Sequence, residues 1–331
     1  MAVTRLADVV VPEEFTSYIV ENSVVSTAFS QSGVMVANGV MQSQLLAGAN
    51  SWTQPYWLDL PDVEADIVTD NPADIALPLK LTSGKQIVRK SYLHQSWSSM
   101  NLAAELAGSN PLDALKGRVT AYWDRQVQTR LISTLKGVLA ANTAQNSGDM
   151  VIDLSGQSGT AAQFSAGAVI DAALTLGDRL EDVKGIAMHS KVYGQALKND
   201  LIEFIPQSSG LPIKTFRGLA VVVDDGLTVS NGVYMSVLFG PGSVGYSLTD
   251  PRVAPGTELE NAPASGNGGG QQTLHSRINL AVHPLGWQWQ EGTGANLIVS
   301  ESPSVAELAN AAHWTRVVAR KAAPFAFLIT K

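Results

Sequence analysis

The chain has 331 residues, is 45% hydrophobic and only 15% charged, and carries a formal net charge of −7. The acidic balance argues against a dedicated nucleic-acid binder, which needs a basic face. The absence of cysteine excludes disulfides, thiolate catalysis and thiolate metal sites. The sequence shows neither a secretory signal nor a membrane span, so we expect a soluble protein made in a cytoplasm. The low charge fits either a surface covered by a partner or a monomer with a large core.

The first predicted element is a helix over residues 12–32. Pro12 suits its first position, Glu13 and Glu14 suit the positive end of the helix dipole, and Gly33 can end it. Residues 34–50 are small and polar, and they predict an extended arm with little core of its own.

A long β-hairpin is predicted next. The segment IALPLKL, residues 75–81, alternates strictly, TSGK at 82–85 suits a turn, and QIVRKSYLH at 86–94 can return as the second strand. The charges are segregated: acids precede the hairpin and bases lie within it. The acidic root comprises Asp59, Asp62, Glu64, Asp66, Asp70 and Asp74, and the basic tip comprises Lys80, Lys85, Arg89 and Lys90.

This charge pattern has two interpretations. The charges form two solvated faces, or the basic tip of one copy meets an acidic surface on another copy. An isolated two-stranded hairpin is marginally stable, so we expect this one to pack on a neighbour. Trp52, Trp57 and Trp97 flank the hairpin, where they serve either an interface or packing within one chain.

A long helix is predicted over residues 111–142. Asn110 can cap it and Pro111 fits its first position. At about 1.5 Å per residue it would be roughly 48 Å long, and its apolar stripe needs a long partner surface such as a sheet. The stripe drifts, which disfavours a coiled coil. Its members are Leu112, Leu115, Val119, Tyr122, Val127, Leu131, Leu135, Val138 and Leu139.

The second half of the chain predicts mixed helices and strands. Ser165 is a candidate cap for a helix in SAGAVIDAALTLGDRLEDV, and SKVYGQALKND predicts a second short helix. A short helix in SVAELANAAHW comes near the end of the chain. Residues 251–273 are rich in Pro, Gly, Ala and Asn and predict an exposed, mobile loop. The predicted strands are GIAMHS, FRGLAVVVDDGL, GVYMSVLFG, RINLAVHPLGWQW and the final FAFLIT.

No catalytic, cofactor or metal site is predicted. GPGSVG at 240–245 matches a dinucleotide-binding pattern, but two prolines follow it and no helix can form there, so we interpret it as a glycine turn. Asp224 and Asp225 are adjacent on a strand and point to opposite faces, which favours a turn over paired carboxylates. The run from Asp62 to Asp66 lacks the glycine and closing glutamate of a calcium loop. The five histidines lack metal-binding spacing.

Six stretches follow one another in an order that resembles a single family. They are VVVPEEFTSYIVENSVVSTAFSQSGVM, LAAELAGSNPLDALKGRVTAYWDRQVQTRLISTLKGV, AMHSKVYGQALKNDLIEFIP, TFRGLAVVVDD, VLFGPGSVGY and ELANAAHWTRVVARKAAPFAFLIT. Together they resemble the major capsid proteins of tailed double-stranded DNA bacteriophages, which have the Hong Kong 97 fold. None is a catalytic signature, so the resemblance rests on their order.

The resemblance implies an α+β fold with four parts. Residues 1–48 would form an N-terminal arm and residues 49–97 an extended β-hairpin loop that lies over the neighbouring subunit. Residues 98–160 and 272–331 would form a peripheral domain that contains the long helix. Residues 161–271 would form an axial domain at the centre of pentamers and hexamers.

The implied function is structural: a non-enzymatic subunit that self-assembles into an icosahedral shell of the virion around double-stranded DNA. No cofactor, membrane or sequence-specific DNA contact is implied, and scaffold, portal and decoration proteins remain open as partners. The alternatives are an encapsulin-type shell for protein cargo and a nucleotide-binding enzyme that uses GPGSVG. The candidate contacts between subunits are the bases Lys80, Lys85, Arg89 and Lys90, the acids Asp62, Glu64 and Asp66, and Trp52 and Trp57.

Overall fold

The computed structural model describes residues 34–37, 39–60, 62–73, 75–108, 112, 115, 118–205, 213–294, 297–298 and 300–331. The predicted helix over 12–32 lies outside these residues. The described helices are α1 Gly39–Leu46, α2 Asn101–Ala107, α3 Val119–Gln145, α4 Ala166–Leu174, α5 Ser190–Lys198 and α6 Val305–Leu308. None of these helices is long and apolar enough to cross a membrane.

The strands are distributed along the whole described chain. The first nine are β1 Met35–Ala37, β2 Ser51–Trp57, β3 Ser83–Arg89, β4 Ser91–Met100, β5 Val151–Asp153, β6 Gly185–Met188, β7 Glu203–Ile205, β8 Ile213–Phe216 and β9 Leu219–Val223. The others are β10 Thr228–Ser230, β11 Val233–Phe239, β12 Val244–Thr249, β13 Thr257–Ala262, β14 Gln271–Pro284, β15 Trp287–Trp289, β16 Trp314–Arg316 and β17 Phe325–Thr330.

Two sheets dominate the architecture. Sheet A has the order β1-β12-β14-β13, and β4 pairs with the other edge of the 14-residue strand β14. Sheet B has the order β5-β17-β11-β6-β9-β8-β7, with β10 beside β11. Two further pairs, β2–β3 and β15–β16, complete the strand pairing.

One hydrophobic core joins α3 to both sheets. It contains Leu131 and Leu135 of α3, Leu280 of sheet A, and Val237 and Phe327 of sheet B. Because side chains alternate along a strand, the other face of sheet B remains to be covered. A second core, which contains residues of α4 and α5, covers that face.

Helix α3 confirms the predicted apolar stripe. Val127, Leu131 and Leu135 are buried, as are Val138 and Leu139. The helix spans 27 described residues, about 40 Å, and ends three residues beyond the predicted end at 142. The helix begins at Val119, after the N-cap residue Arg118, and therefore later than the predicted start at Asn110 and Pro111, which lie outside the described residues.

Several local predictions are confirmed. Ser165 caps α4 by accepting a hydrogen bond from the Ala168 N–H. The predicted strands match β6, β9, β11 and β17, and the predicted short helices match α5 and α6. The single long strand predicted over 277–289 is wrong, because β14 ends at Pro284 and the separate strand Trp287–Trp289 pairs with β16. GPGSVG forms a turn between β11 and β12 with Gly242 at φ 68°, and a strand rather than a helix follows it.

The strands assigned to the predicted hairpin are wrong, although residues 49–97 do contain an antiparallel pair, β2 with β3. Residues 75–81 form no strand, and the predicted turn at 82–85 overlaps β3. Strand β3 pairs with β2, with Ser51 opposite Arg89 at one end and Trp57 opposite Ser83 at the other. The chain between these strands, residues 58–82, has no regular helix or strand among its described residues. We call residues 58–82 the long loop. The prediction was wrong because the alternating pattern of residues 75–81 indicates a strand but does not identify the strand with which it would pair.

Two other expectations need correction. Residues 39–46 form helix α1 rather than an extended arm, because Met41 and Leu45 pack with Trp52, Val88 and Ala281 in a small core. The predicted mobile loop over 251–273 contains β13 and the start of β14, which pair with each other.

The sheets also cross the predicted domain boundaries. Strands β12 and β13 fall within the predicted axial segment 161–271, yet they pair with β14 in sheet A. Strand β17 falls within the predicted peripheral segment 272–331, yet it pairs with β11 in sheet B. Strand pairing joins residues that are distant in sequence, so a division by chain position does not reproduce it.

Candidate subunit-contact surface

The long loop exposes an unusual amount of apolar surface. Ile67 is 83% exposed, Val68 96% and Ile75 82%. Monomeric soluble proteins rarely expose large apolar patches, which makes this loop a candidate interaction surface. The large apolar residues of the loop that are exposed are Leu58, Leu60, Val63, Ile67, Val68, Ile75, Leu77, Leu79 and Leu81.

The root of the long loop is held by side chains of β2 and β3. The Tyr56 hydroxyl donates to the Val317 carbonyl oxygen at 2.7 Å. Gly84 lies under the Tyr56 ring, where a Cβ would come within 2.5 Å of Cζ. Arg89 donates to the carbonyl oxygens of Ser300 and Glu301 at 3.4 and 3.2 Å. These contacts fix where the loop leaves the subunit.

The predicted basic tip is not a unit in the structure. Lys80 and Lys85 are exposed, but Arg89 is used at the root, where its Nε also lies 3.6 Å from Glu291. Lys90 is fully buried. The four bases therefore lie along the loop and its root instead of at one tip, and Lys90 is inaccessible to a second copy.

Lys90 has a role inside the subunit. Its Nζ donates to the carbonyl oxygens of Leu45 and Ala47 at 3.5 and 2.5 Å and lies 5.9 Å from the centre of the Trp52 ring. These carbonyls lie at the end of α1, where the helix dipole favours a cation. Burial, and secondarily the charge of Arg252, lowers the pKa of Lys90.

Among the acidic and aromatic residues predicted to contact a second subunit, some are exposed and one is buried. Asp62, Glu64 and Asp66 are exposed on the long loop, and Trp57 is 72% exposed at its start. Trp52 is buried in the small core with α1. Sequence reasoning missed the apolar side chains as the main feature of this loop, although the strict alternation of residues 75–81 already contained that signal.

The paired aspartates have separate partners. Asp224 is buried, and its carboxylate accepts from the Gly226 N–H at 2.7 Å and from Gln128 of α3. Burial raises the pKa of Asp224 against these hydrogen bonds. Asp225 is exposed and lies 3.7 Å from His189 Nε2. The two carboxylates accept hydrogen bonds from different groups, and both oppose the effect of burial that lowers the pKa of His189.

Within the part of the chain that the structure describes, no group of three or more His, Asp or Glu side chains is arranged to hold a metal ion. His94, His275 and Glu260 form a hydrogen-bonded row across sheet A, at 3.1 and 3.0 Å. His275 uses one ring nitrogen for each neighbour, so the row is a strand-to-strand contact.

Comparison with known proteins decides the family. The chain is 34% identical over 325 residues to the major capsid protein of Bacillus phage SPP1, covering 96% of this chain and 95% of that protein. The chain belongs to the major capsid proteins of tailed bacteriophages. This capsid protein is a structural component of the virion and forms the shell of the phage head. It is not an enzyme.

Solved capsid structures support the fold of this capsid protein. The cyanophage Pam1 capsid matches with a TM-score of 0.59 at 10% identity over 96% of each chain. The capsid of Ralstonia phage GP4 matches with a TM-score of 0.57 at 8% identity, over 83% of this chain and 92% of that chain. The head of Helicobacter pylori bacteriophage KHP40 matches with a TM-score of 0.52 at 11% identity, over 96% and 95%. The mixed α+β fold is thus that of Hong Kong 97-like capsid proteins. No protein-family model matches the chain.

Proposed function

We propose that this capsid protein assembles into an icosahedral shell of pentamers and hexamers around double-stranded DNA, with the long loop of each subunit lying over a neighbouring copy. The observation that carries the proposal is the exposed apolar surface of the loop. Burying apolar surface contributes about 25 cal/mol per Å², so covering nine large side chains stabilises a contact far more than exposed ion pairs do.

The distribution of charge supports a contact led by apolar side chains. The long loop carries five described acids, Asp59, Asp62, Glu64, Asp66 and Asp70, against the single base Lys80. Two copies of so acidic a segment would repel each other, so the covering surface belongs to a different part of the neighbour. Scaffold, portal and decoration proteins are further partners within this proposal.

The relationship to a phage major capsid protein favours DNA over protein as the content of the shell. The net charge of −7 agrees with a wall that does not hold DNA tightly, since tight binding of phosphates needs a basic face. The ratio of absorbance at 260 and 280 nm of heads purified from infected cells tests this content. Heads filled with protein and free of nucleic acid would contradict it.

The test of the loop is assembly of a variant whose subunit still folds. We expect the triple substitution Ile75→Ser, Leu77→Ser and Leu79→Ser to abolish shells in negative-stain electron microscopy and to leave the Tm of the unassembled subunit unchanged, because these side chains contribute little to its core. Val253→Ser, at a residue 88% exposed outside the loop, is the matched control. Normal shells from the triple variant would exclude the proposed role of the loop.

A further inference from the structure

The alternating half of the long loop is suited to become a strand. Ile75, Leu77, Leu79 and Leu81 are 82%, 80%, 65% and 50% exposed, and none of residues 75–81 belongs to a strand of the subunit. In a strand these four side chains would share one face, with Lys80 on the other. The backbone polar groups of such a strand need a partner edge.

In sheet A no strand among the described residues pairs with the outer edge of β13. This strand is the outermost member of the order β1-β12-β14-β13, and its residues are exposed from Thr257 to Asn261. Beside it the Arg277 N–H donates to the Gly256 carbonyl oxygen at 2.7 Å, so residues 256, 258 and 260 direct their backbone groups toward β14. Alternation then leaves the N–H and C=O groups of Thr257, Leu259 and Asn261 on the free edge.

The two faces of β13 differ in chemistry. Leu259 lies on the face of its cross-strand partner Leu274, which is buried. Glu258 and Glu260 lie on the opposite face, where they contact Arg277 at 2.9 Å and His275 at 3.0 Å. Two carboxylates thus stand against the single guanidinium of Arg277 on this face.

Three features of the loop agree on which side of its strand meets this edge and on which face its side chains lie. Pro78 has no N–H, so the side of the strand that carries residues 77, 79 and 81 must form the hydrogen bonds. In an antiparallel pair those residues lie directly opposite Thr257, Leu259 and Asn261, which places their apolar side chains on the face of Leu259. Lys80 then falls on the face of Glu258 and Glu260, as opposite charges require.

We propose that residues 77–81 of one subunit add to the edge of β13 in a second copy as an antiparallel strand, with Leu79 opposite Leu259 and Lys80 opposite Glu258. The proposal rests on the proposed function and identifies the surface of the neighbour that covers part of the loop. In the same register Leu77 lies opposite Asn261, Pro78 opposite Glu260 and Leu81 opposite Thr257.

The other exposed edges fit the loop less well. The outer edge of β4 is already engaged where the Tyr92 N–H donates to Ser302 Oγ at 2.7 Å. Strand β7 has only three residues, too few for the five of the loop. Strand β13 has six residues and supplies both the leucine and the acids that the loop requires.

Engineered disulfides test the register, because the natural chain has no cysteine that would form a competing bond. Opposite residues of a hydrogen-bonded antiparallel pair lie about 5.5 Å apart between Cα atoms, within the range that a disulfide spans. In oxidised shells, we expect Leu79→Cys with Leu259→Cys to link neighbouring subunits into covalent oligomers on a non-reducing gel. The second pair, Leu77→Cys with Asn261→Cys, tests the same register.

The matched control is Lys80→Cys with Leu259→Cys, whose side chains point to opposite faces in the proposed register. We expect at least roughly tenfold less linkage from it, because its sulfur atoms cannot approach within bonding distance. Shells in which the first two pairs stay unlinked, or in which the control links equally well, would overturn this inference and leave the proposed function intact. Normal shells from the triple variant Ile75→Ser, Leu77→Ser and Leu79→Ser would remove the proposed role of the loop and this inference with it.

Discussion

Gly137 of α3 lies directly against the indole of Trp314. The Trp314 Nε1–H donates to the Leu308 carbonyl oxygen at 2.8 Å, and a Cβ at position 137 would clash with that oxygen and lie 2.6 Å from Nε1. The glycine thus lets the long helix approach α6 and β16 closely enough to enclose the tryptophan, which is 1% exposed.

This contact predicts the effect of adding a single methyl group. We expect Gly137→Ala to lower the free energy of unfolding of the unassembled subunit by about 1–3 kcal/mol through overpacking, despite the better helix propensity of alanine. Chemical denaturation measures the change. Gly194 of α5 is the control, because nothing lies within 4 Å of a Cβ there and Gly194→Ala should stabilise by about 0.5–1 kcal/mol. Equal effects of the two substitutions would contradict the packing argument.

Because Lys90 is buried, we expect its substitution to impair folding of the subunit. Substitution of an exposed lysine at a subunit contact would impair assembly instead. In Lys90→Glu a carboxylate replaces the ammonium that faces the carbonyl oxygens of Leu45 and Ala47. A buried, unpaired charge of the wrong sign costs several kcal/mol, so we expect a lower Tm and little soluble subunit. Lys85→Glu, at an exposed position of the adjacent strand, should leave the Tm nearly unchanged. A stable Lys90→Glu subunit would show that the cation does not hold α1 in place.

His283 predicts that acid destabilises the subunit. It is buried beside Gln86, whose Oε1 lies 3.1 Å from Nε2, and burial lowers its pKa to about 4 against the opposing effect of a backbone hydrogen bond at Trp287. The unfolded chain, with a His pKa near 6.5, binds more protons between these values. Stability therefore falls as the pH drops from about 6.5 to about 4, by roughly 3 kcal/mol from this residue.

His283→Gln removes this titration, so the slope of unfolding free energy against pH should become shallower across that window. The measurement is chemical denaturation of the unassembled subunit at several pH values. His94 and His189 also have pKa values lowered by burial, so part of the slope should remain. An unchanged slope in the variant would exclude His283 as the main contributor.

Asp149 predicts a further loss of stability in acid, at lower pH than the loss from His283. Arg316 binds its carboxylate through two hydrogen bonds of 2.7 and 2.8 Å, and Asn142 donates a third at 2.8 Å. Burial alone would raise its pKa, but these bonds hold the pKa below its ordinary value. The stabilisation is present above pH about 4 and is lost as the pH falls through the lowered pKa.

Because this carboxylate is partly exposed, we expect Asp149→Asn to cost only about 1 kcal/mol at pH 7. The difference from the natural chain should shrink as the pH falls toward the lowered pKa of Asp149, because protonation makes that side chain neutral like asparagine. Denaturation at pH 7 and at pH about 2.5 measures both values. A difference that persists unchanged in acid would assign the effect to packing.

Local physical signals predicted much of the fold from the sequence. The cap at Ser165, the apolar run of β9 and the stripe of α3 each depend on neighbours within a few residues, and each was found as expected. The partner of β3 was not found, because β2 contains Pro55 and lacks a clean alternation. The role of Lys90 was hidden for a similar reason: a lysine in a basic run resembles a surface residue until the end of α1 is placed beside it.

The position of α3 in a core shared by both sheets constrains how the subunit adapts to its surroundings. Rotating sheet A against sheet B would pull apart the apolar side chains that both sheets share with α3 and open a cavity along the helix, which close-packed interiors resist. We therefore expect the two sheets and α3 to move together as one rigid body. We therefore expect the long loop, which packs in no hydrophobic core of the subunit, to accommodate the differences in curvature between positions in a closed shell.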